Sequence, residues 1–110
     1  LKDHFSDKTN WRKMLQNDFE PINWEEARNR AIDEIPKDLK SFIVHDEVPI
    51  HKLEFPVLQY PNKVQSLNLS KTPLYEGKLI GIRGQYLMFE DATVFNVRSN
   101  EGQCVKWTLI

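Results

Sequence analysis

The stretch that decides the fold is residues 76–110, EGKLIGIRGQYLMFEDATVFNVRSNEGQCVKWTLI, which holds all four glycines of the chain. Apolar and polar side chains alternate in four short runs, and this period of two is typical of half-buried β-strands. Turn-forming residues separate the runs and predict tight connections. The stretch therefore predicts a four-stranded antiparallel meander with the core residues Ile80, Ile82, Leu87, Phe89, Phe95, Val97, Val105, Trp107 and Leu109.

The residues before this stretch predict short helices followed by irregular strands. Residues 1–5 resemble the end of a helix, and Thr9 or Asn10 can cap a second short helix that runs through Leu15. A third helix is predicted at residues 24–35, where Asn23 is the cap and Pro36 the stop. One more helical turn is expected from Asp38, and the helix at residues 24–35 supplies an apolar stripe of Trp24, Ala27, Ala31 and Ile35.

Two further strands are predicted between the helices and the meander. Residues 52–58 alternate but contain Pro56, which lacks a backbone N–H, so this strand is expected at an edge or to be irregular. Residues 64–70 place Leu67 and Leu69 on one face. These strands and the helix at 24–35 are the material available to cover the meander, because a small sheet must bury one face and protect its edges.

The fold class predicted is α+β, with short N-terminal helices packed on a C-terminal antiparallel meander that forms a small, partly open barrel or a curled sheet. A single domain is expected over residues 1–110, with 1–44 mainly helical and 45–110 mainly β. The chain begins with Leu1 rather than Met, and it is expected to be a fragment of a longer protein.

Composition limits the partners that the chain can take. Fifteen Lys and Arg against sixteen Asp and Glu give a net charge of −1, which argues against a strongly electrostatic partner such as bulk duplex DNA or an anionic membrane. No run approaches the ~18 apolar residues of a membrane span. A lone cysteine, Cys104, excludes an intrachain disulfide, and a reducing cytoplasmic setting is the simplest expectation.

No catalytic set and no cofactor or metal site can be identified in the sequence. Gly81 and Gly84 do not match a phosphate-binding loop and are interpreted as a bend or bulge in the sheet. The ligand-type residues His45, Asp46, Glu47 and His51 match no metal-binding spacing and are interpreted as a solvated loop. Cys104 has no neighbouring base in the sequence and is interpreted as an inert thiol.

Two groups of residues are candidates for binding nucleic acid. Trp11, Arg12 and Lys13 combine an aromatic ring with positive charge, which suits base stacking and phosphate contact, although a buried Trp flanked by solvated charges is the alternative. Gln85, Tyr86, Asn96 and Arg98 fall on neighbouring predicted strands, where an ordinary outward face of the sheet is the alternative.

Three runs of the chain resemble the C-terminal half of a bacterial and archaeal family, domain-of-unknown-function family 2797. They are SDKTNWRKML at 6–15, YPNKVQSLNL at 60–69 and EGKLIGIRGQYLMFEDATVFNVRSNEG at 76–102. The resemblance implies an upstream part with zinc-binding cysteine pairs and a segment similar to GIY-YIG nucleases. It further implies that residues 1–5 end the helix carrying the nuclease Glu, and that Asn10 matches the nuclease Asn, which adds Asn10 to the candidate site.

The chain departs from the family pattern at two turns. Asp91-Ala92 stands where the family has Asp-Gly, and because Ala disfavours positive φ a different turn type is expected. Gln103 follows Gly102 where the family has a Tyr.

Two functions are therefore expected for a non-catalytic domain. The first is an accessory module that binds nucleic acid for a nuclease-like protein. The alternative is a structural or protein-interaction domain that associates, with itself or a partner, through an exposed edge strand near Phe55 and Pro56.

Overall fold

A computed structural model describes residues 3–6, 8–46 and 49–110 of the chain, so residues 1 and 2 of the predicted first helix, and Glu47 of the predicted loop, lie outside it. Within the described residues the fold is α+β, as predicted. Its elements, in chain order, are α1 (Trp11–Leu15), α2 (Trp24–Asp33), a 3₁₀ helix (Lys37–Phe42), β1 (Gln65–Ser66), β2 (Leu79–Arg83), β3 (Tyr86–Phe89), β4 (Thr93–Asn96) and a second 3₁₀ helix (Arg98–Asn100).

Helix α2 begins at its predicted cap, Asn23, and α1 begins at Asn10, one of its two predicted caps. Asn10 Oδ1 accepts a hydrogen bond from the Lys13 backbone N–H at 3.2 Å, which satisfies one free donor in the first turn of α1. Asn23 Oδ1 accepts from the N–H groups of Glu25 and Glu26 at 3.1 and 3.3 Å and starts α2 in the same way.

The four strands form one open sheet in the order β1-β4-β3-β2. The pairs β2–β3 and β3–β4 are antiparallel and make up the first three strands of the predicted meander, whereas β1 runs parallel to β4. The sheet is therefore mixed and is not closed into a barrel. Beside β2, Val57 forms an isolated antiparallel bridge to Gly81, and this irregular edge pairing agrees with the prediction for the segment that contains Pro56.

The fourth predicted strand of the meander, at residues 105–109, does not join the sheet. The chain leaves β4 after Asn96 because Val97 takes helical backbone angles (φ −58, ψ −43) and starts a 3₁₀ helix. Val97, predicted as core, is consequently 50% exposed. The place beside β4 is taken by β1, whose Gln65 and Leu67 N–H groups donate to the carbonyls of Ala92 and Val94.

The core lies on the face of the sheet that carries Tyr86, Met88 and Val94, where α1 packs. Leu15 of α1 and Met88 are fully buried in this cluster. Alternation in the sequence predicts a core largely on the opposite face. Of those nine core residues only Phe89 and Phe95 are buried, while Leu87 is half-buried and Ile80, also half-buried, packs against the cluster on the α1 side. The other exposed residues of that set are Ile82, Val105, Trp107 and Leu109.

Helix α2 lies outside this core, so the prediction that it covers the sheet is wrong. None of its residues is buried, and Trp24 is 61% exposed. The contacts of this region run to flanking segments: Glu34 Oε2 lies 3.1 Å from His4 Nε2, and Arg28 donates to the Val44 carbonyl at 3.3 Å. The radius of gyration is 18.6 Å, against about 13 Å for a compact chain of this length. The large value agrees with the position of α2 outside the core.

The glycines near the β2–β3 hairpin behave as predicted. The pairing shifts register between Leu79 and Gly81, which is a bulge, and a Cβ on Gly81 would lie 2.9 Å from a methyl carbon of Val57. Gly84 has φ +57 in the two-residue turn that joins β2 to β3. Glycine is needed at both positions, at Gly81 for close approach and at Gly84 for the backbone conformation.

The β3–β4 hairpin corrects the expectation of a different turn type at Ala92. A different turn type would have kept Ala92 out of the left-handed conformation. In the structure Ala92 has φ +68 and does adopt that conformation. The turn is held by Asp91, whose Oδ1 accepts from the Thr93 N–H at 3.0 Å and from the Tyr75 hydroxyl at 2.8 Å. Desolvation opposes ionisation of Asp91, but these hydrogen bonds outweigh it and lower the pKa of the Asp91 carboxyl. The pKa of the Tyr75 hydroxyl is raised, and desolvation is the main cause.

Replacing Ala92 with Gly is expected to stabilise the protein by about 0.5–1 kcal/mol, because glycine adopts positive φ without the steric penalty of a Cβ. Urea unfolding followed by circular dichroism measures the change. Ala31→Gly in α2 is the matched control and should instead destabilise the chain by at most about 1 kcal/mol, since glycine weakens a helix. Equal losses from the two substitutions would contradict the strained conformation at Ala92.

Candidate nucleic-acid interface

A stack of two aromatic rings joins the two groups of residues that the sequence proposed for nucleic-acid binding. Trp11 of α1 lies against Tyr86 of β3 with ring centroids 5.7 Å apart and planes inclined by 10°. Tyr86 is in turn the cross-strand partner of Asn96 in β4. Side chains separated by some seventy-five positions therefore form one continuous surface.

The first group presents a cation over this aromatic stack. The Arg12 guanidinium carbon lies 4.2 Å from the centroid of the Trp11 ring, within the range of a cation–π contact. Arg12 and Lys13 are exposed, and Lys13 is only loosely paired with Asp18 at 3.9 Å. Asn10 is occupied as the cap of α1, so its side-chain oxygen has a structural role at the edge of this surface.

The second group is a pair of amides followed by a cation. Gln85 Nε2 donates to Asn96 Oδ1 at 3.0 Å, so the structure brings these two residues together as predicted. The Ser99 N–H also donates to Asn96 Oδ1 at 3.2 Å. Arg98 is exposed, but it begins the second 3₁₀ helix and does not continue β4, which corrects its predicted place on the strand.

Tyr86 was predicted to contact nucleic acid directly, but its position in the structure does not suit that role. Its side chain is only 8% exposed and belongs to the core cluster with Leu15 and Met88. The ring therefore supports Trp11, which is half-buried and keeps part of its surface open to solvent. Position 86 lies on the face that α1 covers, which explains the burial.

Arg83 is a residue of this region that the sequence did not single out. Its Nη1 donates to the Met14 carbonyl at 2.7 Å and to Asn17 Oδ1 at 3.1 Å, so it fastens the end of α1 to β2. The guanidinium also lies over the rings of Phe55 and Tyr60, with its carbon 4.8 and 5.5 Å from their centroids. No local pattern could have predicted this role, because the partners lie 66 and 69 positions away in the chain.

Arg83 is partly buried, and its innermost donor is shielded from water. Its Nε atom is buried and has no hydrogen-bond partner among the described residues. Exclusion of water around a guanidinium strengthens the bonds that it does make, because the local dielectric is low. Arg83 binds the end of α1 opposite Trp11, so we expect it to help fix the position of Trp11 on Tyr86.

The described residues offer neither a metal-binding group nor a membrane-spanning helix. In the ranges 3–6, 8–46 and 49–110, no three His, Cys, Asp or Glu side chains are grouped closely enough to hold a metal ion. Cys104 is a free, exposed thiol. Among the described helices, none has the length and apolar character needed to cross a membrane.

The described residues form a small α+β fold, built on an open mixed sheet, in which a one-turn helix places an Arg–Trp pair beside the end of the central hairpin. The chain belongs to DUF2797, whose family model, described as a protein of unknown function, matches residues 1–105. This match confirms the family resemblance found in the sequence. No curated protein and no solved structure matches the chain.

Proposed function

We propose that this domain is a non-catalytic module that binds single-stranded nucleic acid, as an accessory part of a nuclease-like protein. The observation that carries the proposal is the continuity of Arg12, Trp11 and Tyr86 with the amide pair Gln85–Asn96. Sequence-tolerant proteins for single strands combine aromatic rings on which bases stack with cations that follow the backbone. Both features meet on this surface.

Each side chain has a role suited to its chemistry. The exposed part of Trp11 and the planar guanidinium of Arg12 offer stacking surfaces to a base. The bonds of the amide pair use Gln85 Nε2 and Asn96 Oδ1, which leaves Gln85 Oε1 and Asn96 Nδ2 for a base edge. Arg98 and Lys13 are exposed cations that suit phosphate oxygens. With a net charge of −1 the affinity should be modest and sensitive to salt.

The sequence-based alternative, association through the edge near Phe55 and Pro56, receives less support from the geometry. The Pro56 carbonyl and the Leu58 N–H are both used toward β2, and Pro56 offers no N–H to a further strand. At the opposite edge β1 is only two residues long. Edges this short give an added strand few ladder bonds, so nucleic-acid binding is the function proposed first.

The expected result is that a labelled single-stranded oligonucleotide binds at low salt, and that Arg12→Ala and Arg98→Ala each weaken binding about three- to tenfold. Each substitution should also reduce the slope of log K against log salt by about 0.7, the value for one phosphate contact on a single strand. Fluorescence anisotropy at three or more salt concentrations measures both quantities.

Lys71→Ala is the matched control, because it removes one exposed positive charge near the opposite face of the sheet. Its binding constant should stay within about twofold of the wild-type value, as expected of a distant solvated charge. The proposal fails if no oligonucleotide binds up to high micromolar protein, or if Lys71→Ala weakens binding as much as Arg12→Ala does. Tighter binding to duplex than to single strands would contradict base stacking and indicate that the domain contacts mainly the phosphate backbone.

A further inference from the structure

The C-terminal segment, residues 104–110, has the alternating sequence of a β-strand but does not pair with the sheet. Val105, Trp107 and Leu109 alternate with polar residues. Trp107 packs edge-on against Phe95 with ring centroids 6.3 Å apart, which places its side of the segment on the sheet face opposite α1. Yet the structure gives residues 104–110 no backbone hydrogen bond to any residue that it describes.

The apolar side of this segment is poorly covered. Trp107 is 61% exposed and Leu109 is 98% exposed, so most of their surface faces water. Beneath the segment lies an apolar cavity of about 100 Å³, whose lining includes Val105, Trp107, Leu67 and Leu69. An apolar segment without backbone pairing, beside a cavity with room for a single aliphatic side chain, is a surface that can receive a partner.

We propose that residues 104–110 pair antiparallel with the same segment of a second copy, in a register centred on Trp107. In this register Trp107 faces its equivalent, and Val105 faces Leu109 of the other copy. The second copy's Leu109 thereby comes beside the cavity that Val105 lines, since directly opposite residues have Cβ atoms about 5 Å apart. The two-fold symmetric arrangement is self-complementary, as the commonest homodimer interfaces are.

Charge favours the antiparallel over the parallel orientation of the second copy. Lys106 is the only charged side chain in the segment, and in the antiparallel register it faces Thr108 of the other copy. Parallel pairing in register would instead place the two Lys106 ammonium groups opposite each other, which is destabilising. The net charge of −1 adds little long-range repulsion between two chains.

The area available sets the strength of this interaction. Val105, Trp107 and Leu109 together bury roughly 400 Å² per copy, on the scale of 150–250 Å² for one aromatic side chain and against about 800 Å² per partner in a standard interface. The dimer is therefore expected to be weak, and its population to depend on the protein concentration. It is independent of nucleic-acid binding, which uses the opposite face of the sheet.

Sedimentation equilibrium of the full chain over a wide concentration range tests the proposal with two matched variants. Leu109→Glu puts a charge on the apolar side and should raise the dissociation constant about tenfold or more. Thr108→Glu puts the same charge on the other side, opposite the second copy's Lys106, and should leave the constant unchanged or lower it up to about fivefold. Because Leu109 is 98% exposed and Thr108 is also exposed, neither variant should disturb the folded monomer.

Cross-linking then tests the register. Position 110 faces Cys104 of the other copy, so Ile110→Cys should give disulfide-linked dimers under mild oxidation, since opposite Cα atoms lie within the 4.4–6.8 Å that a disulfide spans. The wild-type chain should not cross-link, because its two Cys104 residues are about 20 Å apart along the ladder. A chain that stays monomeric at every concentration, equal effects of the two Glu variants, or wild-type cross-linking as fast as that of Ile110→Cys would each overturn the proposal.

Discussion

Met88→Ala is expected to lower the free energy of unfolding by about 2–5 kcal/mol, the range observed when a large buried side chain is cut back in a tight core. Met88 is fully buried at the centre of β3, in a cluster with Leu15, Val64, Tyr86 and Val94. The substitution removes the transfer free energy of the thioether chain and leaves a cavity beneath α1. A domain is typically stable by only about 5–15 kcal/mol, so this loss is a large share of the total.

Urea unfolding monitored by circular dichroism gives the measurement. Met88→Leu keeps most of the volume and should lose less than about 1.5 kcal/mol. Leu58→Ala serves as the surface control, because Leu58 is 83% exposed, and it should change stability by no more than about 0.5 kcal/mol. If Met88→Ala and Leu58→Ala had similar effects, the core would not lie on the α1 face of the sheet.

The burial of Met88 could not be predicted from sequence periodicity. Tyr86–Phe89, YLMF, is a continuous apolar run, and such a run suits a strand that is covered on both faces. Interpreting it by alternation selected Leu87 and Phe89, whereas burial is deepest at Met88. The signal for a doubly covered strand was present in the four residues, but it does not say which element supplies the second cover.

Elements defined by local chemistry were predicted well. Asn23 was predicted as a helix cap, and Asn10 as one of two candidates with Thr9, because such side chains satisfy free N–H groups only two or three residues away. The turn at Gly84 was likewise recognisable, because glycine between two alternating runs favours a tight hairpin. In each case all the interacting groups lie within a few positions of one another.

Elements decided by distant contacts were not predictable in the same way. Residues 105–109 alternate as a strand does, but the place beside β4 is taken by β1, whose pairing depends on backbone groups some thirty positions away. Period-2 alternation indicates that a segment can be a strand, and it carries no information on which neighbour it finds. The candidate interface follows the same rule: Gln85 and Asn96 were placed together through one hairpin, while the contact of Trp11 with Tyr86 required the whole fold.

The second large effect is expected from Arg83→Met, which should lower the free energy of unfolding by about 2–3 kcal/mol. Met keeps much of the stem that packs near Phe55 and Tyr60, but it removes the donors to the Met14 carbonyl and to Asn17 Oδ1. Hydrogen bonds from a charged group contribute about 1.5–3 kcal/mol, and the partly buried Met14 carbonyl would lose its donor. Lys78→Met is the control, because its exposed pair with Glu90 contributes at most about 1 kcal/mol.

Arg83→Met should also weaken oligonucleotide binding although Arg83 is not itself proposed to contact the nucleic acid. Without this anchor the end of α1 is released from β2, and the Arg12–Trp11 pair loses its fixed position on Tyr86. A positioning role of this kind predicts that the salt slope stays at its wild-type value while the affinity falls, because no phosphate contact is removed. Arg12→Ala should instead lower both quantities. A drop in the salt slope for Arg83→Met would show that Arg83 contacts phosphate directly, and an unchanged affinity would show that binding does not depend on the placement of α1.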